Sequence, residues 1–121
     1  MINKIIAYDS VYLAIVGEEF DMYRAMVLTE SEKGKISKET PVINLKNKTI
    51  IALPFWIYID KKTAKSCKQV GEIEDTKRLI EYALKAEIPN NQKGRYIRNI
   101  MRKLATINTR TIFKSLDNVE K

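Results

Sequence analysis

Apolar positions in the first half of the chain come in short runs separated by polar segments. The runs Ser10–Val16 and Met22–Thr29 are rich in β-branched and aromatic residues, and Gly17–Asp21 between them has the polarity of a loop. A shorter run covers Pro41–Leu45. This pattern predicts two paired strands followed by a third, shorter strand.

The most apolar stretches are Thr49–Leu53 and Phe55–Asp60, which we expect at the centre of the core. Pro54 separates them, and because proline cannot donate a hydrogen bond to a neighbouring strand, it predicts a break or a bulge. Met1–Ala7 is a candidate edge strand. Strand-like runs with short connections favour a small antiparallel barrel or a curved sheet of five or six strands over a parallel α/β arrangement.

The pattern changes after Asp60. Lys61–Lys68 is basic and is interpreted as a connector, and Glu72–Ala86 places apolar residues at helical spacing, which predicts a helix near 73–86 with an acidic first turn. A second helix is predicted near 95–105, followed by a last short helix or an extended arm through Leu116. The fold class is therefore mostly β with C-terminal helices, α+β.

The second predicted helix has two unlike faces. Its apolar stripe consists of Ile97, Ile100, Met101 and Leu104, and the opposite side carries Arg95, Arg98 and Arg102. We expect the stripe to pack on the sheet and the arginines to face outward.

Positive charge is concentrated at the C-terminal end. Residues 88–121 contain eight Lys and Arg against two acidic residues, whereas residues 1–87 contain fourteen against thirteen. Charge collected in one stretch produces a surface potential with a definite location, and its usual partner is a polyanion. Nucleic acid is the leading partner class, and a solvated helix face with surplus charge is the alternative.

The length of 121 residues fits a single domain, in which 1–87 forms the barrel and first helix and 88–121 a basic helical extension. No apolar run approaches the roughly 20 residues of a membrane span, so we expect a cytoplasmic protein without membrane contact. The single cysteine, Cys67, cannot form an intramolecular disulfide, which agrees with a reducing compartment.

The chain contains no histidine. Imidazole general bases, Ser–His and Cys–His nucleophiles and most transition-metal sites therefore cannot be built from it. We expect no metal and no cofactor.

Arg24 is the most informative polar residue, because it lies inside an otherwise apolar strand. Its guanidinium suits a phosphate ligand, and an ion pair with Glu18, Glu19 or Asp21 is the alternative. By alternation, Trp56 and Tyr58 face opposite to Phe55 and Ile57, so one pair packs in the core and the other is available for base stacking.

Several segments resemble toxins of the PemK/MazF family. These are Asp9–Ala14, Tyr23–Leu28, Phe55–Thr63 and Lys68–Leu84, which together cover roughly Asp9–Leu84. The resemblance implies an SH3-like small barrel, usually a homodimer, which cleaves single-stranded RNA without a metal. It also implies a cognate antitoxin, either protein or RNA, that holds the toxin inactive.

The resemblance also implies a site. The family uses an arginine at the start of the second strand, which matches Arg24, and a hydroxyl residue at the end of the third strand, where this chain has Asn44 with Thr40 and Thr49 nearby. The predicted catalytic residues are Arg24, Asn44 and Thr40. The predicted RNA-binding residues are Lys46, Lys61, Lys62, Lys65, Lys68, Arg95, Arg98 and Arg102.

Two other functions remain open at this point. One is a non-catalytic nucleic-acid-binding module. The other is a small phage or plasmid regulatory interaction protein, in which the Ile97–Leu104 stripe binds a partner or a second copy instead of the chain's own sheet.

Overall fold

An antiparallel sheet forms the centre of the protein. The computed structural model describes residues 1–30 and 38–107, and the strands and helices in these ranges are β1 (Lys4–Tyr8), β2 (Val11–Glu19), β3 (Met22–Glu30), β4 (Val42–Leu45), β5 (Lys48–Asp60), α1 (Lys61–Ser66), β6 (Lys68–Glu72), α2 (Thr76–Lys85) and α3 (Asn90–Leu104). The strand order is β4-β5-β3-β2-β1-β6, and the sheet curls into a half-barrel. The predicted α+β fold with a curved antiparallel sheet is confirmed.

The curl brings the two outer strands of the sheet close together. A Cβ atom added at Gly71 on β6 would lie 2.9 Å from Cδ2 of Leu45 on β4. Glycine at position 71 therefore leaves the space that the Leu45 side chain needs at this approach.

The β2–β3 hairpin is tighter than the sequence indicated. We expected a loop over Gly17–Asp21, but β2 continues through Glu19, and only Phe20 and Asp21 form the turn. Both turn residues have positive φ, 57° and 58°, as in a two-residue turn whose twist matches that of paired strands. The extension matters because it places Glu19 inside the sheet.

The prediction of a basic connector over Lys61–Lys68 is wrong. Lys61–Ser66 forms α1, whose first turn is capped by the Asp60 carboxylate, which accepts a 2.7 Å hydrogen bond from the Thr63 amide. Lys68 then begins β6, which pairs with β1. As a consequence β1, predicted as an edge strand, lies between two neighbours.

Pro54 interrupts the ladder between β3 and β5, as its chemistry predicts. Met26 pairs with Trp56 and Leu28 with Ala52, so three residues of β5 stand opposite one residue of β3. The strand is nevertheless continuous from Lys48 to Asp60. On its other side β5 pairs with β4 only as far as Ile51, among the residues that the structure describes.

Both faces of the sheet are covered, and each has its own apolar cluster. On the first face, the α3-side cluster joins sheet residues to Ala64, Cys67, Ile97, Ile100, Met101 and Leu104. On the second face, the α2-side cluster joins Val16, Met26, Leu28, Ile50, Ala52 and Leu79. Successive residues of the central strands therefore point into different cores, as the period of two requires.

The two long helices differ from their predicted limits at the start. Helix α2 begins at Thr76 with Asp75 as its cap, so the acidic residues Glu72 and Glu74 precede the helix instead of forming its first turn. Helix α3 begins at Asn90, directly after Pro89, and not near Arg95. The last predicted helix or arm, through Leu116, lies outside the described residues.

The orientation predicted for α3 is confirmed. Its apolar stripe is buried against the chain's own sheet, whereas Arg95, Arg98 and Arg102 are exposed. Because that stripe is already occupied, it does not offer the surface that the interaction-protein alternative requires.

Neighbouring residues of α3 test this packing. We expect Ile97→Ala to lower the free energy of unfolding by about 2–5 kcal/mol, because it leaves a cavity in the α3-side cluster. The matched substitution Arg98→Ala removes an exposed side chain and should change that free energy by no more than about 0.5 kcal/mol. Urea denaturation of the two variants measures both values, and similar losses would contradict the orientation of α3.

Candidate active site

Arg24 lies on β3, on the face that α2 covers, just beyond the α2-side cluster. Its cross-strand partners are Gly17 on β2 and Tyr58 on β5. The register between β2 and β3 shifts after Ile15, and this irregularity places a glycine opposite Arg24. A Cβ at Gly17 would stand 3.1 Å from a terminal guanidinium nitrogen, so the missing side chain gives the Arg24 side chain its place on the sheet.

The Arg24 guanidinium is incompletely paired. Its Nε lies 3.8 Å from Oε2 of Glu19, which is an ion pair but longer than a hydrogen bond. Nε is buried and has no hydrogen-bond partner. The side chain as a whole remains 29% exposed, so the cation is held in place and still open to solvent. A buried donor without an acceptor is costly, and such a donor marks a place where a ligand oxygen would be stabilised.

The Trp56 ring also contacts the Arg24 guanidinium. The carbon at the centre of the guanidinium lies 5.4 Å from the centroid of the Trp56 ring, within the range of a cation–π interaction. Trp56 and Tyr58 point to one side of β5 and are half-buried, while Phe55 and Ile57 point to the other side and are buried. The alternation predicted for these four residues is confirmed, and its outer pair lies at Arg24.

Glu19 and Tyr58 form the second half of the site. The Tyr58 hydroxyl donates a 2.8 Å hydrogen bond to Oε2 of Glu19, the same oxygen that faces Arg24. Burial raises the pKa of Tyr58 above its usual range, and the hydrogen bond to Glu19 raises it further. The phenol therefore keeps its proton at neutral pH and fixes the direction of the carboxylate.

A cleft of about 290 Å³ adjoins this group of residues. It is lined by the segment 54–58 of β5, by Ala83 of α2 and by Lys93 of α3. The Lys93 ammonium lies 5.5 Å from the centroid of the Phe55 ring. The cleft thus offers an aromatic floor with a second cation at its side, which suits an anionic ligand with a flat apolar part.

These contacts define what the site can do chemically. The cation can bind an anion and the adjacent carboxylate can accept a proton, while the protonated phenol orients that carboxylate. Within the described residues, no group of three or more His, Cys, Asp or Glu is placed to hold a metal ion. Cys67 is not part of the site: it is buried, its thiol donates to the Thr63 carbonyl, and burial raises the pKa of the thiol.

Asn44 and Thr40 are not brought to Arg24. Asn44 pairs with Thr49 near the start of β5, whereas Arg24 pairs with Tyr58 near its end. At about 3.3 Å per residue, these two positions are separated by roughly 30 Å along the strand.

The surroundings of Asn44 and Thr40 also differ from those of Arg24. Asn44 accepts a 3.2 Å hydrogen bond from Thr49 and lines a cleft that contains Glu72, Glu74 and Asp75. Its lining also includes Arg78, and Glu72 is paired with Lys4, so the cleft has mixed charge with an acidic excess. Thr40 is buried with its hydroxyl 3.5 Å from that of Tyr82.

Most of the predicted RNA-binding residues share one surface. We call the outer sides of α1 and α3 the basic face, because every charged residue in these two helices is Lys or Arg: Lys61, Lys62, Lys65, Lys93, Arg95, Arg98, Arg102 and Lys103. Both helices pack on the same side of the sheet through the α3-side cluster. Lys68 on β6 and Lys46 in the β4–β5 turn are exposed but lie outside these helices.

The members of the basic face are not equally available. The Lys61 ammonium pairs with Glu18 and Asp21, and these carboxylates raise its pKa. The Arg102 guanidinium donates to Asn99 at 2.9 Å, while Lys62, Lys65, Arg95 and Arg98 are exposed and have no ion pair with any described residue. The charge available to a polyanion is therefore concentrated on α3 and the outer side of α1.

Apart from Lys93, which lines the cleft next to Arg24, the basic face and the Arg24 site lie on opposite sides of the sheet. Met26 and Leu28 share the face of Arg24 and belong to the α2-side cluster, whereas α1 and α3 belong to the other. Arg24 and the exposed arginines of α3 therefore do not share one face of the sheet. A strand of nucleic acid that reaches both must pass around an edge of the sheet.

Glu19 is the site residue that the sequence left undecided, as one of three alternative partners for Arg24. The structure selects it because a two-residue turn places Glu19 opposite Met22, on the face of Arg24, and places Glu18 opposite Tyr23, on the other face. The local signal is the length of the turn, since a change of one residue there exchanges the faces of the two glutamates.

The Glu19–Tyr58 hydrogen bond can be tested by titration. We expect Glu19→Gln to lower the pKa of Tyr58, because the charged acceptor that raises it is removed while the burial remains. Absorbance of tyrosinate as a function of pH measures this, and Tyr58→Phe identifies which of the six tyrosines contributes the late component. An unchanged late component in Glu19→Gln would show that the carboxylate does not hold the phenol.

The described helices include none that is long and apolar enough to cross a membrane. Comparison with known proteins gives no match, neither to a family model nor to a curated protein nor to a solved structure.

Proposed function

We propose that the protein is a cytoplasmic, metal-independent endoribonuclease of toxin–antitoxin type, with Arg24 at its reaction centre. The observation that carries the proposal is the buried Nε of Arg24, which has no hydrogen-bond partner and lies beside a carboxylate that a protonated tyrosine orients, with Trp56 under the guanidinium. The resemblance to PemK/MazF-type toxins supports the same reaction. Of its implied residues, only Arg24 takes part in this arrangement.

RNA supplies its own nucleophile, which is why so small a set of groups suffices. The 2′-hydroxyl attacks the adjacent phosphorus, a new 2′-O–P bond forms, and the P–O5′ bond breaks. Glu19 accepts the proton of the 2′-hydroxyl, and water supplies a proton to the departing 5′ oxygen. The products are a 2′,3′-cyclic phosphate and a free 5′-hydroxyl, and the reaction as written requires no metal ion, oxidant or reductant.

Each residue of the site has one role in this scheme. Arg24 binds the phosphate and stabilises the charge that builds on its oxygens, which is commonly the largest single contribution to such catalysis. Glu19 is the general base. Tyr58 is a positioning residue that acts through Glu19, and Gly17 keeps the space above the sheet open for the guanidinium.

A second candidate function is a non-catalytic nucleic-acid-binding module. The basic face favours it, because eight cations without a single carboxylate in α1 and α3 match a phosphate backbone whether or not cleavage follows. This face lies away from Arg24, so binding and cleavage are separable by substitution.

Substitution of Arg24 tests the catalytic proposal. We expect Arg24→Ala to reduce cleavage of single-stranded RNA by at least about 100-fold, as loss of a transition-state donor does, without unfolding the protein. Cleavage by the wild-type protein should persist in excess EDTA. Expression of the wild-type protein alone should arrest the growth of a bacterial host, whereas expression of Arg24→Ala should not. Equal cleavage by Arg24→Ala would reject this site, and RNA binding without cleavage by the wild type would favour the binding module.

The contribution of the basic face is measured by salt dependence. We expect Arg98→Ala and Arg102→Ala each to reduce the slope of log affinity against log salt by about 0.7, the value for one phosphate contact with a single strand. Lys77→Ala, which removes an exposed cation of α2 on the other side of the sheet, is the matched control and should leave the slope unchanged. Equal slopes for all three variants would exclude the basic face as the main polyanion contact.

A further inference from the structure

The tip of the β2–β3 hairpin carries a residue that its backbone does not favour. Phe20 has φ of 57°, and two-residue turns of this kind strongly prefer Asn, Asp or Gly, because a bulky side chain is strained at positive φ. Burial does not compensate for the strain, since Phe20 is 78% exposed. Residues held in strained backbone conformations cluster at functional sites.

The Phe20 ring lies close enough to the Arg24 site to contact a ligand bound there. The Phe20 and Tyr58 ring centroids are 6.1 Å apart with the planes tilted by 59°, and Tyr58 is the direct cross-strand partner of Arg24. Tyr58 thus links an exposed aromatic ring to a guanidinium whose Nε has no hydrogen-bond partner. Nucleotides present both matching parts, an anionic phosphate and a flat apolar base.

Charge at the hairpin tip does not oppose such a ligand. The other two carboxylates of this segment, Glu18 and Asp21, both pair with Lys61 on the opposite face of the sheet. Glu19 is the remaining one, and it is bound by Tyr58 next to Arg24.

We propose that Phe20 is a nucleobase-stacking residue: a base of single-stranded RNA stacks on its exposed ring while a neighbouring phosphate is held by Arg24. This rests on the proposed function and adds a subsite to it. Stacking on an aromatic ring is tolerant of sequence, because every base has a π face. The site therefore requires an unpaired base next to the bound phosphate and rejects duplexes.

The chain offers its own reporter for the experiment. Trp56 is the only tryptophan and lies against Arg24, so its fluorescence reports on ligands that bind at this site. The probes are a synthetic mixed-sequence 12-nucleotide RNA with 2′-O-methyl groups, which cannot be cleaved, and inorganic polyphosphate, which has no bases. Wild type, Phe20→Asn, Phe20→Tyr and Arg24→Ala are titrated with both.

Phe20→Asn should keep or raise the melting temperature, because asparagine suits the turn, and it should weaken RNA binding at Trp56 by about fivefold or more. Its response to polyphosphate should stay as in the wild type. Phe20→Tyr keeps a flat ring and should bind RNA within about twofold of the wild type.

The outcomes separate this subsite from the proposed function. If Phe20→Asn binds RNA as the wild type does while Arg24→Ala does not, stacking is overturned and the Arg24 site stands, which leaves a protein contact to explain the exposed ring. If Arg24→Ala also binds normally, both proposals fail. If Phe20→Asn melts early, Phe20→Leu replaces it, and RNA binding by the leucine variant equal to that of Phe20→Tyr overturns stacking.

Discussion

Burial of the central strand β3 on both faces is the constraint on which the rest of the structure depends. Ala25 and Val27 point into the α3-side cluster, and Met26 and Leu28 point into the α2-side cluster. Such a strand needs cover on each side, and the helices that follow the sheet in the sequence supply it. Arg24 is half-buried between the buried residues Tyr23 and Ala25, so its guanidinium is fixed by a rigid strand and still reaches solvent. A site on a strand so firmly held is more exact in geometry than one on a loop.

The same division of the sheet separates two kinds of electrostatics. The basic face has many cations and few fixed partners, which suits a long-range, salt-sensitive attraction to any polyanion. The Arg24 site has one cation surrounded by a carboxylate, a phenol and an indole, which suits a short-range interaction with a single phosphate. The two kinds of electrostatics therefore lie mostly on different surfaces, with the sheet between them.

The sequence predicted those elements whose burial leaves a periodic signal. The alternation in 22–29 and 55–60 gave both the strands and their faces, and the spacing of Ile97, Ile100, Met101 and Leu104 gave the inner side of α3. Strand β6 was not predicted because Lys68–Glu72 is a largely exposed edge strand that is held by hydrogen bonds to β1. Helix α1 was not predicted because it is short, and its two buried residues are too few to give a helical pattern among the lysines. The site was predicted only in part. Arg24 is conspicuous as a charge in an apolar run, but its partnership with Glu19 depends on the turn length, and the separation of Asn44 depends on where β4 joins β5.

The unequal lengths of β4 and β5 leave part of the sheet margin uncovered. Beyond Ile51 the described residues place no strand beside β5, although the Ala52 amide still donates to the Pro41 carbonyl. An open margin of this kind is a template for a strand from another molecule. Pro54 lies in this stretch and has no amide hydrogen, so an invading strand meets an incomplete row of donors. The residue that interrupts the ladder to β3 thus also leaves one position on this margin unable to donate a hydrogen bond to a neighbouring strand.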